Sequence, residues 1–302
     1  MLFKPITIKD KEAITAYTFS SNLMNCDFAF ANMCSWRFLY DSEFAIADNF
    51  LFIRFYIKQH RVYMFPIGTG DLKQAIEKIE QDAAANDNQL RIFGVTPSGK
   101  NRIETLFPGE FTFTANRNYF DYIYRREDLL TLQGKKYQPK RNHINKFTKT
   151  HSFTYLPITR EMIPECMELE YKWYQAHYTE EDAEALKFEN RSMLYALNHF
   201  DALGLTGGAI RIGNEIIAFT YGSPINHCTF AVHVEKADIR FDGIFSVINR
   251  ELVAHIPKQY LYINREEDLG IPGLRQSKLS YRPTILLEKN MALKMMSYDS
   301  FN

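Results

Sequence analysis

The run Asn264-Arg265-Glu266-Glu267-Asp268-Leu269-Gly270-Ile271-Pro272-Gly273-Leu274-Arg275-Gln276-Ser277-Lys278-Leu279-Ser280-Tyr281 crowds carboxylates, cations and a phenol into one short span. It starts where a strand (residues 260–264) is expected to end and continues onto a helix, the usual place for ligands in α/β sheets. Gly270 and Gly273 permit close backbone approach, and a helix starting near Gly273 offers free N–H donors to an anion. In an extended loop, residues two apart project to one side, so Glu266 and Asp268 are expected to face one substrate. Close like charges push one carboxyl upward, as a base working near neutral pH requires. Glu266 or Asp268 is therefore the candidate base. Lys278 and Tyr281 are further catalytic candidates, and Asn264 and Arg275 would orient substrate or stabilise developing charge. A structural alternative has Asp268 capping the turn at residues 270–273 and Glu266 pairing with Arg265 or Arg275.

A second concentration is basic. Between residues 125 and 149, Arg125, Arg126, Lys135, Lys136, Lys140, Arg141, Lys146 and Lys149 face only Glu127 and Asp128. If residues 142–149 are helical, Arg141, Asn145 and Lys149 share a face. Lys135, Lys136, Lys140 and Arg141, with Asn142 and Asn145, are expected to form an anion site for phosphate, an RNA acceptor end or a lipid headgroup. The alternative is a solvated linker, or one paired with the acids that follow: Glu161, Glu165, Glu168, Glu170, Glu180, Glu181, Asp182, Glu184 and Glu189.

Several chemistries are missing. His227 and His233 share strand parity but lie six residues apart without an obvious third ligand, so no metal site is expected. Gly-x-Ser-x-Gly, the P-loop and Gly-x-Gly-x-x-Gly are absent. His143 reads as a solvated or structural histidine. Trp36 and Trp173 read first as packing, and Cys26 and Cys34 as small core residues.

These groups need a scaffold, and its elements are legible as periodicities. Asp10 is placed to cap a short helix, with a second apolar segment over residues 27–40. Strand-like runs follow at 43–48, 50–58 and 60–67. Asp71 caps a helix carrying Leu72, Ala75, Ile76 and Ile79 at 3–4 spacing. A strand at 90–95 leads to a helix opened by Thr96-Pro97, and strands at 111–114 and 119–125 close the unit. The second half repeats this order: helices over 159–176 and 181–200, and strands at 205–212, 215–221 and 229–235. A helix over 243–256, a strand at 260–264, a short helix near 273–279 and a strand at 284–288 complete it. Gly213-Asn214 marks the hairpin between the first two of those strands.

The repeated order resembles two copies of the acyltransferase unit called GNAT, over residues 1–130 and 131–302, with the basic segment opening the second. The expected fold is α/β, with mixed sheets flanked by helices. Three sets of residues sharpen this. The first is Tyr124-Arg125-Arg126-Glu127-Asp128-Leu129 with Leu132, Gly134-Lys135-Lys136-Tyr137 and Lys140-Arg141-Asn142-His143-Ile144-Asn145-Lys146-Phe147. The second is Asn264-Arg265-Glu266-Glu267-Asp268-Leu269-Gly270 with Gly273-Leu274-Arg275, Lys278, Ser280-Tyr281 and Pro283. The third is the early Ser21-Asn22-Leu23 and Trp36-Arg37. Together they resemble a bacterial family similar to the catalytic domain of phosphatidylglycerol lysyltransferase. That resemblance implies a tandem GNAT-like fold, shared with Fem-type aminoacyltransferases that use charged tRNA, and draws Trp36 into the candidate substrate site. A coenzyme-A loop would read Gln/Arg-x-x-Gly-x-Gly/Ala. Here Arg240 and Gly243 match as candidate cofactor ligands, while Phe245 replaces the small residue and Asp242 adds negative charge. Acyl-CoA is therefore the weaker donor beside aminoacyl-tRNA.

Composition bounds the rest. The chain has 302 residues, 46% of them hydrophobic and 24% charged, which excludes a disordered or fibrous class. Lys+Arg 36 balances Asp+Glu 36, so no basic coat for duplex DNA exists. Four scattered cysteines form no disulfide framework, and a reducing cytoplasm is expected. The N-terminus shows no secretory h-region, and no apolar run approaches the roughly 20 residues that span a bilayer. The functional expectation is acyl or aminoacyl transfer to an amine or hydroxyl, with an anionic phospholipid as one candidate acceptor. The alternative is a non-catalytic module that binds RNA or anionic lipid.

Overall fold

A computed structural model describes residues 1–177 and 183–295; Glu180, Glu181 and Asp182 of the expected acidic helices lie outside the described residues. The first half opens with β1 (Lys4–Pro5), α1 (Lys11–Thr18), α2 (Phe30–Ser35) and α3 (Arg37–Tyr40). Strands β2 (Glu43–Ala47), β3 (Phe50–Ile57), β4 (His60–Met64) and β5 (Ile67–Gly68) follow. Then come α4 (Leu72–Ala84), β6 (Arg91–Val95), α5 (Pro97–Leu106), β7 (Phe111–Ala115) and β8 (Asp121–Arg125). Helices α6 (Arg126–Thr131) and α7 (Gln138–Thr150) lead to β9 (Thr154–Pro157), α8 (Ile163–His177), α9 (Ala183–Asn198) and α10 (Phe200–Leu203). The second half continues with β10 (Thr206–Ile212), β11 (Glu215–Pro224), β12 (Thr229–Ala237), α11 (Ile244–His255) and β13 (Tyr262–Asn264). It ends with α12 (Pro272–Ser280), β14 (Ile285–Leu287) and β15 (Asn290–Lys294).

Local chemistry sets many of these limits as expected. Asp71 accepts from the amides of Lys73 (2.8 Å) and Gln74 (3.3 Å), and Leu72, Ala75, Ile76 and Ile79 of α4 are buried. Thr96 caps α5 ahead of Pro97 by accepting from the Gly99 amide at 3.3 Å. Asp10 behaves differently. Its carboxylate makes no cap bond to α1; it accepts from Thr7 and pairs with Lys4 at 2.8 Å.

The strands form two mixed sheets, ordered β1-β2-β3-β4-β6-β15-β7 (with β5 on β3) and β14-β8-β13-β12-β11-β10-β9. Each contains one parallel pair, β4–β6 and β12–β13. The short β1 and β9 are not foreseen as strands, and two further strands depart from the sequence reading in where they pair. β8, expected to close the first unit, lies in the second sheet between β14 and β13, and β15, not expected as a strand, lies in the first between β6 and β7. Each half therefore lends the other a strand, and a boundary near residue 130 cuts across both sheets. Periodicity could not show this, because it reports which face a strand buries and not which neighbour it pairs with. Three apolar clusters result. One lies under α4 and α5, one under α7 and α11, and a central one draws on both halves, from Ile14, Phe28 and Ile53 to Cys166, Met193 and Phe219.

The exchange is pinned by Lys289, which immediately precedes β15. Its side chain is 1% exposed and its ammonium contacts Asp27 (2.9 Å), Asp121 of β8 (2.8 Å) and Glu267. Removing one partner of a buried ion cluster leaves uncompensated charge, so Lys289→Met should lower folding stability by about 3–5 kcal/mol in urea titrations. A loss under about 1 kcal/mol would show that the cluster is not what joins the halves.

Candidate functional site

The site begins where β12 and β13 part. Their parallel register runs Thr229↔Tyr262, Phe230↔Ile263 and Ala231↔Asn264 and then stops, although β12 continues to Ala237. Beyond Asn264 the chain follows β8 instead: the Arg265 amide donates to Tyr122 O (2.9 Å) and the Tyr122 amide to Glu266 O (3.1 Å). Glu266 makes that turn at φ 57, a left-handed conformation unfavourable for a long side chain. The Asn264 side chain supports it by accepting from the Glu266 amide at 2.7 Å.

Across the gap, β12 carries a bulge. Tyr221 and Gly222 of β11 pair with Val234 and Val232, leaving His233 as the extra residue. A bulge re-aims a side chain, and this one brings His233 onto the face of Ser223. His233 Nε2 lies 2.7 Å from Ser223 Oγ, and its Nδ1 lies 2.8 Å from Glu266 Oε1. Asn32 of α2 donates to the same Oε1 at 2.8 Å. The row Ser223–His233–Glu266 is graded in exposure, with 2% for Ser223 and 6% and 22% for the side chains of His233 and Glu266. The carboxylate is the most exposed member of the row, unlike a hydrolase triad, in which the serine meets the substrate.

Of the two carboxylates expected to share a substrate, only Glu266 opens on the gap. Asp268 is a correction. Its side chain is fully buried and accepts from Arg275 (2.8 Å to each oxygen), Arg117 (3.1 Å), the Tyr122 hydroxyl (2.5 Å) and the Gly270 amide (2.8 Å). Burial opposes its charge, but the bonds from Arg275, Tyr122 and Gly270 prevail and hold the carboxyl well below the usual range. Such a group anchors the loop and is a poor proton acceptor. Arg275, bound to it and to Asn118 Oδ1 (2.7 Å), is a structural partner. The carboxyl pushed upward is the neighbour, Glu267, which rises to about 7 because burial and the charges of Asp121 and Asp27 outweigh Lys289.

Other expected site residues serve as supports. Lys278, 6% exposed, donates to the carbonyls of Arg265 (2.5 Å) and Glu267 and staples the loop. Tyr281 is 3% exposed, its hydroxyl 3.2 Å from Ser246 Oγ. Asn264 is fully buried and donates to Met24 O (2.7 Å) and Asp121 (2.8 Å). Trp36 stacks on Phe38 at 6.3 Å, in a row with Phe188.

The basic segment divides. Arg141 donates to the carbonyls of Leu132 and Gly134 and to Gln138, so it closes the turn after α6. Asn142 accepts from Gln138 at 2.8 Å, and Asn145 is exposed on α7. Lys135 and Lys136 are exposed and Lys140 half-buried, and none of them pairs with the acids of α8 and α9 among the described residues. Those acids have other partners: Glu165 binds Arg211 (2.8 Å), Glu168 binds Lys172 (3.0 Å), and Glu170 and Glu189 bind Lys236 (3.2 and 2.8 Å).

The residues matched to a coenzyme-A loop are engaged within the chain. Arg240 is held on Asp238 at 2.5 Å, and Asp242, beside the α11 N-terminus, binds Lys146 at 2.8 Å. Gly243 has φ 89, and a Cβ there would sit 2.7 Å from His143 O, so α7 packs closely against this turn. Cys26, Asp27 and Glu267 bring ligand atoms within 4.8 Å of one another, but Asp27 and Glu267 already hold the Lys289 ammonium. Sequence reasoning missed Ser223, Asn32, Arg117 and Lys289, and weighed His233 only as a metal ligand. A strand bulge and contacts between distant segments leave no spacing signal.

Two mixed sheets, each with one parallel pair and flanked by helices, define a tandem GNAT fold. A tandem GNAT protein from the clavulanic acid biosynthesis pathway shares it at TM-score 0.51, with 9% identity over 98% of this chain and 99% of that one. The chain belongs to the family described as phosphatidylglycerol lysyltransferase, C-terminal, whose model matches residues 20–293. A conserved protein of unknown function from Bacteroides thetaiotaomicron is 49% identical, with TM-score 0.94 over 97% of this chain and 99% of that one. L-PGS from Bacillus licheniformis is 15% identical, with TM-score 0.65 over 96% and 93%. An uncharacterised Mycoplasmoides gallisepticum protein is 28% identical over 174 residues, 56% of this chain, and the match spans 54% of that relative, about half its length. No helix among the described residues is long and apolar enough to cross a membrane.

Two substitutions separate anchor from titrating group. Asp268→Asn should cost about 3 kcal/mol at pH 7. A lowered carboxyl stabilises the fold above its unfolded value near 3.9, so the deficit should shrink as pH falls into the acid range. A raised carboxyl has the opposite sign. Wild type loses stability as pH rises from about 4.3 through 7. Glu267→Gln should therefore be more stable than wild type at pH 8 and lose that gain below pH 4, as read from melting temperatures across pH.

Proposed function

We propose that the chain transfers an aminoacyl group from an aminoacyl-tRNA ester to a hydroxyl or amine, with Glu266 as the proton acceptor. The observation that carries this reading is the parted β12–β13 pair with Glu266 at its opening, held on one oxygen by His233 and Asn32. Oε1 takes both donors, leaving Oε2 without a donor among the described residues. An acceptor hydroxyl or amine positioned there gives its proton to Glu266 as it attacks the ester carbonyl. A carbon–oxygen or carbon–nitrogen bond forms, the ester C–O bond breaks, and the proton passes to the departing ribose oxygen. Holding both reactants in the gap supplies much of the rate. His233 and Ser223 set the orientation of the carboxylate from behind, and the family directs the first trial of an acceptor to phosphatidylglycerol.

The test uses the whole chain with tRNA charged with labelled amino acids and phosphatidylglycerol vesicles. Wild type should form labelled lipid. Glu266→Gln keeps a hydrogen-bond acceptor for His233 and Asn32, so its melting temperature should stay within a few degrees while transfer falls roughly a hundredfold. Unchanged transfer by this variant removes Glu266 from the chemistry. Tight RNA or lipid binding without any turnover by wild type would make the chain a binding module instead.

A further inference from the structure

At the end of β13 away from Glu266, the surface is hollowed into a groove of about 500 Å³. Strands β8 and β13 run antiparallel, with Arg125 opposite Tyr262 and Ile123 opposite Asn264, so the groove and the candidate site lie at opposite ends of β13. Arg126, the first residue of α6, fixes the walls. Its amide donates to Leu261 O at 2.9 Å, and its guanidinium donates to the carbonyls of Pro257 (2.7 Å) and Ile256 (2.9 Å) at the C-terminal end of α11. Hydrogen bonds within the chain therefore preform the groove, and its volume falls in the range of small-molecule sites, roughly 300–1,000 Å³.

The lining says what kind of molecule fits. Leu130, Leu261 and Tyr262 supply apolar surface, and Leu261 is left 60% exposed. Arg125 and Tyr262 are cross-strand neighbours, so their side chains project from one face. Arg125 and Lys258 are exposed, and neither side chain has an ion-pair or hydrogen-bond partner among the described residues. With Arg126 they set three cations against one carboxylate, Glu127, a local excess of positive charge on a chain whose net charge is +0. Burial lowers Arg126 and only Glu127 opposes it, the direction expected where negative charge is short. A row of phosphates would use the cations but gain nothing from the two leucines. A neutral apolar molecule would leave the cations unused. An anion with an apolar body uses both.

We propose that this groove binds an organic carboxylate with an aliphatic body, its carboxylate between Arg125 and Lys258 and its chain over Leu130, Leu261 and Tyr262. The site is separate from the proposed transfer reaction and is tested by binding alone. Isothermal titration of the whole chain with hexanoate, octanoate and decanoate should show saturable binding. A fully buried methylene is worth roughly fourfold in affinity, so each step of two methylenes should tighten binding about tenfold. Octan-1-ol and octylammonium, which keep the chain and lose the negative charge, should bind at least tenfold more weakly than octanoate. Arg125→Gln with Lys258→Gln should weaken octanoate about tenfold and leave the melting temperature unchanged, since both side chains are exposed and unpaired. Leu261→Asn should flatten the dependence on chain length. The site is overturned if the double variant binds octanoate as wild type does, or if octan-1-ol matches octanoate. It is equally overturned if phosphatidylglycerol vesicles bind through Arg125 and Lys258 while the free carboxylates do not, which would make this face a membrane contact.

Discussion

A single buried ammonium organises the molecule. Lys289 meets Asp27 from the segment before α2, Asp121 from β8 and Glu267 from the loop after β13. A charge taken out of water is tolerable only when paired and hydrogen-bonded, so these four segments must arrive together. Asp121 extends the hold, accepting from the Cys26 amide at 2.7 Å and from Asn264 at 2.8 Å. The floor of the candidate site is thus fixed by the same cluster that seats β15 in the first sheet. Burial, together with the excess negative charge of three carboxylates around one ammonium, raises Asp27 and Glu267 together.

The gap between β12 and β13 follows from that constraint. Once Asn264 is held on Asp121 and the Met24 carbonyl, the chain continues along β8 and cannot stay beside β12. Lys278 and Asp268 then fix the loop from the other side, through backbone carbonyls and two arginines. With the backbone set, alternation delivers Glu266 to one face and Arg265 to the other. One short segment therefore presents Glu266 to His233 on one face and Arg265 to Glu235 on the other.

How much of this was legible differs by element. The helices α4 and α5, the hairpin at Gly213 and the duplicated order of elements are local, and caps and apolar spacing report them directly. The loop after β13 stands out in the sequence as a candidate site because its composition is too charged for an ordinary turn. The division of labour inside it was not. Two carboxylates of equal type, two residues apart, have opposite fates because Arg117, Arg275 and Tyr122 converge on one and His233 and Asn32 on the other. Arg141 reads as an anion ligand by charge, yet serves the carbonyls of Leu132 and Gly134.

The sequence by itself determined which segments become helices and strands, which faces they bury, and where chemistry is concentrated. These properties depend on neighbours within a turn or a strand length, and the residue pattern contains them. Tertiary structure decided the exchange of β8 and β15, the bulge that turns His233 toward Ser223, and the separate roles of Glu266, Glu267 and Asp268. Each depends on partners 100 residues or more away along the chain, or on one unpaired strand residue, as Asn32 with Glu266 (234 apart) and Tyr122 with Asp268 (146 apart) illustrate. Charge, burial and proton affinity are properties of the assembled environment, and no spacing in a linear chain encodes them.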